Sequence, residues 1–358
     1  MKISIIVGTR PEIIKMSPII RECIRLNVDF FILHSGQHYS YNMDRVFFEQ
    51  LELPQTKYNL NVGSGSHAEQ TSKILIGIEK VLLKESPDVI LVEGDTNTVL
   101  AGALAASKLH IKIGHVEAGL RSFDRTMPEE INRVLTDHCS DYLFAPTEKS
   151  KQILLTESIP DAKIFVTGNT VVDSVFQNLK LANKKLDILD KLELKKKEYF
   201  LVTMHRQENV DNSTRFNNIL KGLKMLLKKY NIPVIYPLHP RARKKMQEYN
   251  LDSAGIKIIE PLDYLGFLQL EKNAKVILTD SGGVQEEACI LGIPCVTLRD
   301  NTERPETLDV GANILAGALP EKIVDSVILM YNNNKIWNNP FGDGCSGKKI
   351  VKILKEQL

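Results

Sequence analysis

Two stretches of this chain repeat one local plan, and that plan leaves few folds open. Val89-Ile90-Leu91-Val92-Glu93 runs through the turn Gly94-Asp95-Thr96 into an alanine-rich helix and then a second apolar run at Ile113. Val276-Ile277-Leu278-Thr279 runs through Asp280-Ser281-Gly282-Gly283 into a helix and then a run at Cys295. Short β-branched runs that alternate with amphipathic stretches are the mark of parallel strands covered by helices. The alternation predicts further strands at Lys2–Val7, Phe30–His34, Lys112–Val116, Tyr142–Ala145 and Lys163–Thr167. After the lysine-, leucine- and aspartate-rich stretch Leu179–Glu198, a linker or surface helix, strands resume at Tyr199–Thr203, Val234–Tyr236, Lys257–Ile259 and Cys295–Leu298. Helices are expected at Glu12–Leu26, with Pro11 just inside the start, at Thr98–Lys108 and at Lys348–Glu356.

Two Rossmann-like halves follow from this plan, and at roughly 150 residues per domain the 358 residues fit two domains. Ligands in open α/β sheets sit beyond the carboxyl ends of the strands, so the cleft between the halves is the expected site. A hydrophobic share of 43% and a charged share of 25% suit a globular protein. The net charge of +2 gives no reason to expect nucleic acid or an anionic membrane. No apolar run approaches the ~20 residues that span a bilayer. Met1–Val7, soon followed by Arg10, reads as a first strand rather than a signal peptide. Cys23, Cys139, Cys289, Cys295 and Cys345 form no Cys-x-x-Cys, which argues against a disulfide framework or zinc module and suits a reducing cytoplasm.

The clearest ligand signal is Asp280–Glu287. Gly282 and Gly283 at a strand-to-helix turn let a ligand approach the backbone, and the helix start favours an anion such as phosphate. Glu287, one turn on, is placed to accept from ribose hydroxyls; the bland alternative is a tight turn followed by a solvated face. Gly8-Thr9-Arg10-Pro11-Glu12 makes a similar turn with neither a Walker lysine pattern nor Gly-x-Gly-x-x-Gly. Arg10 and Lys15 near a helix start make sense if an anion compensates them, and otherwise decorate the surface. Acids gather at expected strand ends: Asp95, Glu117, then Glu129 and Glu130 after Pro128, although Asp95 alone could be a helix cap. His34-x-x-x-His38 falls at a strand end with no third ligand, which disfavours a metal. His205, beside Arg206 at the end of a strand, is placed to meet phosphate or relay protons, and His239 is similar but less specific.

Taken in order, Gly8–Glu12, Gly94-Asp95-Thr96, His115-Val116-Glu117-Ala118-Gly119-Leu120-Arg121 and Pro128-Glu129-Glu130-x-Asn132-Arg133 carry a likeness over essentially the whole chain. Gly168-Asn169-Thr170, His205-Arg206, Thr279–Glu287 and Thr302-Glu303-Arg304-Pro305-Glu306 continue it. Together they resemble the non-hydrolysing UDP-N-acetylglucosamine 2-epimerases. The resemblance implies an α/β fold of GT-B type: an N-terminal domain over 1–172, a UDP-binding domain over 173–340, and a last helix over 341–358 packing back on the first domain. It implies reversible conversion of UDP-N-acetylglucosamine and UDP-N-acetylmannosamine by a cytoplasmic homodimer. By motif, Asp95, Glu117, Glu129 and His205 match catalytic positions. Arg10, Lys15, Ser281, Gly282, Gly283, Glu287 and Arg304 match those holding the nucleotide, with Phe267 and the Leu262 backbone near the uracil.

The C2 proton of such a sugar is not beside a ketone, so simple enolisation is closed. Removing it while UDP leaves C1 gives a glycal, and UDP then adds back as a proton reaches C2 from the opposite face. That route asks for acid/base groups on two faces and an anchored diphosphate, with neither metal nor redox cofactor. The stretch Gly36–Met43 also resembles epimerases of UDP-2,3-diacetamido glucuronate. A GT-B glycosyltransferase and a non-catalytic nucleotide-sugar binder are more distant alternatives. Bacterial members often carry a second, activating site with a Gln-His and an Arg-Gln pair. Here Gln37-His38 is present but the second pair reads Glu69-Gln70, and the expectation is that activation does not work in the same way.

Overall fold

The computed structural model describes residues 1–37, 41–333 and 336–358. It divides into two compact units, Met1–Gln177 with Phe341–Leu358, and Asn178–Pro340. The division falls after Gln177, inside the helix Thr170–Lys185, where 172 was expected. Both units are parallel sheets with helical crossovers, the α/β architecture of the GT-B type.

The first sheet holds β1 (Lys2–Val7), β2 (Asp29–His34), β3 (Tyr58–Asn59), β4 (Val89–Glu93), β5 (Lys112–Val116), β6 (Tyr142–Ala145) and β7 (Ile164–Val166). Their spatial order is β3-β2-β1-β4-β5-β6-β7. Ile3 of β1 lies opposite Phe30 of β2 on one side and Val89 of β4 on the other. A parallel sheet covered on both faces needs apolar strands, and β4 is buried along its whole length, Glu93 included. The order reverses between β1 and β4, which places the turns after these two strands at the switch point. Gly8 is required in the first of them, because a Cβ there would stand 2.2 Å from Thr98 Oγ1 and 2.5 Å from Ser35 Oγ.

The second sheet holds β8 (Phe200–Thr203), β9 (Val234–Pro237), β10 (Lys257–Ile259), β11 (Val276–Thr279), β12 (Cys295–Thr297) and β13 (Asn313–Leu315), in the order β10-β9-β8-β11-β12-β13. Here the reversal lies between β8 and β11. Phe200, Val202, Phe216, Leu220, Val276 and Val327 belong to one buried cluster that joins sheet to helices. The interior strands fall where the apolar runs predict them, to within a residue at their ends. The short β3 and β13 were not expected, and each lies at the edge of its sheet.

The lysine-rich stretch is helical over Thr170–Lys185 and again over Ile188–Lys191, where the Asp187 side chain accepts from the Asp190 N–H. The last helix, Ser346–Gln357, buries Ile350, Val351 and Leu354 and packs on the helix Arg10–Arg25 of the first unit. The Asp173 carboxylate accepts the N–H groups of Ser346 and Gly347, each at 3.1 Å. A Cβ on Gly347 would stand 2.9 Å from the carbonyl carbon of Pro18, so the helices meet this closely only through glycine. Among the described residues, no helix is long and apolar enough to cross a membrane.

Candidate active site

In the first unit the polar groups collect beyond the carboxyl ends of β1, β4 and β5. Lys15 projects from the helix Arg10–Arg25 and places Nζ 2.5 Å from Glu117 Oε2 and 3.0 Å from Glu93 Oε1. All three side chains are largely buried, with Glu93 the most enclosed at 2% exposure. One ammonium cannot offset two buried carboxylates and a third nearby. Burial pushes Glu93 well above the usual carboxyl range, against the pull of Lys15 and with the help of Glu117 and Glu12. Burial likewise pushes Glu12 up to about 7, although the Gly8 N–H and the Thr9 hydroxyl donate to it at 2.7 and 2.9 Å. Glu117 itself holds φ +68, and Asn169 Nδ2 donates to its Oε2 at 3.3 Å.

Asp95 follows Gly94 at the end of β4 and is ion-paired with Arg133 Nη2. The expected cap role falls instead to Thr96, whose hydroxyl accepts from the Thr98 N–H. Arg133 also holds Glu130 at 2.9 Å, and Asn132 Nδ2 donates to the Asp95 carbonyl at 2.9 Å. Glu129 and Glu130 are not at a strand end: they form the first turn of the helix Pro128–Cys139. Pro128 at the first helical position and acids at the positive helix end explain that start. Glu130 is buried and accepts from the Ser122 and Phe123 N–H groups, so it shapes the loop, whereas Glu129 is exposed. Arg10 opens its helix, with the guanidinium 5.7 Å from the Phe47 ring centroid.

In the second unit the switch point is knitted by Asp280, which is fully buried. Its carboxylate accepts from the backbone N–H groups of His205 (3.1 Å) and Arg206 (3.0 Å) and from Asn209 Nδ2 (3.0 Å). His205 Nδ1 stands 3.2 Å from Asp280 Oδ1, which leaves the other ring nitrogen for a ligand. Burial would raise the Asp280 carboxyl, but His205, Asn209 and the Arg206 amide bring it below its ordinary value. The ring of His239 lies 6.0 Å from that of His205, and its Nδ1 accepts from Arg241 N–H.

Ser281 stands at the N-cap of the helix Gly282–Leu291, makes no side-chain capping bond, and is followed by no acid in the first turn. Around Gly282 and Gly283 there is room, since the nearest atoms to a built Cβ are 3.7 and 4.0 Å away. An uncapped helix start without a carboxylate is suited to an anion. Arg304 Nε lies 2.9 Å from the buried Glu286, and Glu303 is gripped by Arg299 at 2.8 Å. Glu287 faces the fully buried Glu271 and the Tyr264 hydroxyl; burial first, then Glu287, pushes the Glu271 carboxyl far upward. Phe267 lies partly buried in the helix Tyr264–Asn273, and Leu262 just precedes its Asp263 cap.

The structure thus brings Lys15 and Glu117 together and pairs Asp95 within the same unit. His205 and the residues matched to the nucleotide from Leu262 to Arg304 all belong to the other unit. The sequence motifs include Arg133, Asn169 and Asp280 but give them no role, and Glu93 reads there only as the end of a strand. Glu93 had a readable signal, a charged residue closing an otherwise apolar buried strand. Glu69 is the third residue of the helix His67–Glu85, where its side chain and that of Ser66 form a reciprocal capping box. Its partner position His38 lies outside the described residues.

Fold and site define a GT-B-type α/β protein with acids at the strand ends of one unit and an open helix start in the other. The family model described as UDP-N-acetylglucosamine 2-epimerase matches residues 22–355. A UDP-N-acetylglucosamine 2-epimerase of Methanocaldococcus jannaschii is 61% identical over 361 residues, covering 99% of each chain. Its crystal structure in complex with UDP-GlcNAc and UDP has a TM-score of 0.88 over 99% of this chain and 100% of that one. The Neisseria meningitidis UDP-GlcNAc 2-epimerase bound to UDP-GlcNAc also gives a TM-score of 0.88, at 37% identity, with 99% and 100% covered. A UDP-2,3-diacetamido-2,3-dideoxy-D-glucuronate 2-epimerase of Pseudomonas aeruginosa is 43% identical over 359 residues, 99% of each chain. The chain belongs to the UDP-N-acetylglucosamine 2-epimerase family.

Proposed function

We propose that this protein interconverts UDP-N-acetylglucosamine and UDP-N-acetylmannosamine by elimination and re-addition of UDP. The observation that carries the reading is the pair of acids, Asp95 and Glu117, at the ends of adjacent strands, each held by a cation of its own unit. A protein that only bound a nucleotide sugar would have no use for them.

In this reading one carboxylate takes the C2 proton while the C1–O bond to UDP breaks and UDP leaves with the electron pair. The C2–H electrons become the glycal double bond. UDP then re-forms the C1–O bond as a proton reaches C2 from the other face. Acid–base participation of this kind is worth about 10²–10⁴-fold per group. Asp95, Glu117 and Glu129 are the acid/base set, with His205 at the departing diphosphate. The helix start at Ser281, Gly282 and Gly283, with Arg10, Lys15 and Arg304, takes the diphosphate charge. Glu287 meets the ribose hydroxyls, and Phe267 and the Leu262 backbone the uracil. The contacts of Lys15 with Glu93 and Glu117 make it a partner of the acids at least as much as of the phosphates.

A cytoplasmic homodimer completes the reading. Five cysteines outside disulfides suit a reducing compartment. Ile76 and Leu83 on the helix His67–Glu85, and Ile131 and Leu135 on Pro128–Cys139, are exposed apolar side chains suited to a second copy. Sedimentation velocity at micromolar concentration separates dimer from monomer.

The deciding experiment is proton NMR of the pure protein with UDP-N-acetylglucosamine in D₂O. The expected product is UDP-N-acetylmannosamine carrying deuterium at C2. Free sugar plus UDP would mean hydrolysis instead. Turnover of UDP-2,3-diacetamido glucuronate alone, tested in parallel, would move the substrate to that of the Pseudomonas relative.

A further inference from the structure

His115 takes no part in the chemistry above, yet it joins both acid-bearing turns. It lies in β5 and is fully buried. Its Nε2 stands 2.9 Å from the Gly94 carbonyl oxygen, the peptide that leads into Asp95. Its Nδ1 stands 2.6 Å from Asp137 Oδ1. Through Oδ2, Asp137 accepts from the Gly119 N–H at 3.2 Å and from Arg121 at 2.7 Å, and Arg121 runs on to Glu157 at 2.6 Å. Burial acts to raise the Asp137 carboxyl, but His115 and Arg121 bring it below its ordinary value, so it is an ionised acceptor. A carbonyl oxygen also only accepts, so each ring nitrogen of His115 faces an oxygen acceptor, one on each turn's side.

These bonds end on turns and not on the sheet ladder. Gly94 holds φ +83, Glu117 φ +68 and Gly119 φ +80, so both turns need left-handed backbone. For Glu117 that conformation is strained and persists only where its surroundings fix it. We propose that His115, braced by Asp137, is a positioning residue that sets the Asp95 turn against the Glu117 turn. The assignment rests on the reading of Asp95 and Glu117 as the reacting acids.

Two amide variants separate its two bonds in the full-length protein. The amide of His115→Gln reaches the place of Nε2 and keeps the Gly94 bond; that of His115→Asn reaches only the place of Nδ1. For His115→Asn, kcat with UDP-N-acetylglucosamine should fall about 100-fold with KM within about threefold, as expected when reacting groups are misplaced rather than removed. His115→Gln should recover to within about tenfold of wild type. Hydrogen exchange by mass spectrometry should quicken across residues 94–96 in His115→Asn and not in His115→Gln. Exchange reads the clamp even if the wild type turns over another sugar, so failure of the functional reading is separable. Wild-type kcat in His115→Asn, equal losses in both variants, or a loss confined to KM would each overturn the proposal. Should His115→Asn not fold, Asp137→Asn releases the Gly119 side with the ring in place. It should give the same kcat loss with faster exchange across residues 118–120, and unchanged kcat would again overturn the assignment.

Discussion

In the first unit, Asp95, Glu117 and Glu93 each meet a cation supplied by the same unit, Arg133 for the first and Lys15 for the other two. In the second, the helix Gly282–Leu291 begins with no side-chain cap and no acid in its first turn. The difference separates two tasks. Under the proposed function, the acids of the first unit exchange protons, and a buried carboxylate keeps its charge more readily beside an internal cation. Under the same reading, a helix start with neither cap nor carboxylate suits an arriving anion.

The largest effect should come from the acids themselves. Asp95→Asn or Glu117→Gln should lower turnover by about 10²–10⁴-fold, while calorimetric UDP affinity stays close to wild type. A variant with near-normal turnover would remove its residue from the chemistry. Lys15→Met should cost the first unit about 3 kcal/mol in urea unfolding, because a buried ion pair loses one partner. A loss no greater than that of a surface lysine would mean the two acids are stabilised by something other than Lys15.

The raised carboxyl of Glu12 gives a pH signature. Its folded value, about 7, lies above the ordinary 4.5, so the folded state binds the extra proton between these values. Stability linked to Glu12 is therefore full below pH 4.5 and is lost as pH rises through 7. Whatever constant offset Glu12→Gln brings, its stability relative to wild type should improve by about 3 kcal/mol between pH 4.5 and 8. A pH-independent gap would refute the shift. The smallest effect belongs to the second unit. Gly283→Ala has room in the protein and should leave the melting temperature unchanged or higher. It should weaken UDP binding by about tenfold, ~1.4 kcal/mol, if the anion comes against this turn. Unchanged affinity would place the diphosphate elsewhere.

How much of this could be read beforehand depends on what each feature needs. Interior strands such as Val89–Glu93 and Val276–Thr279 announce themselves because burial on both faces demands an unbroken apolar run. Tyr58–Asn59 and Asn313–Leu315 do not: each opens or closes on an asparagine and has no run of apolar residues long enough to stand out. In this they differ from the equally marginal edge strands at Ile164–Val166 and Lys257–Ile259. The turns at Asp95, Glu117 and Gly282 were legible as motifs. Their partners were not, because the pairing of Lys15 with Glu93, or of Asp280 with His205, joins residues far apart in the chain. Glu130, grouped with the acids but matched to no catalytic position, ties down its own loop.

The return of the helix Ser346–Gln357 to the first unit has a consequence for synthesis on the ribosome. The surface around Pro18 and the Asp173 carboxylate receives its cover from Ser346 and Gly347, after residues 178–340 have been made. At about 5–20 residues per second, that stretch occupies a translating ribosome for roughly ten to thirty seconds. During that interval the nascent first unit shows an unfinished apolar face to whatever chaperone attends it. A message truncated near its end would therefore release a protein whose defect lies at its beginning.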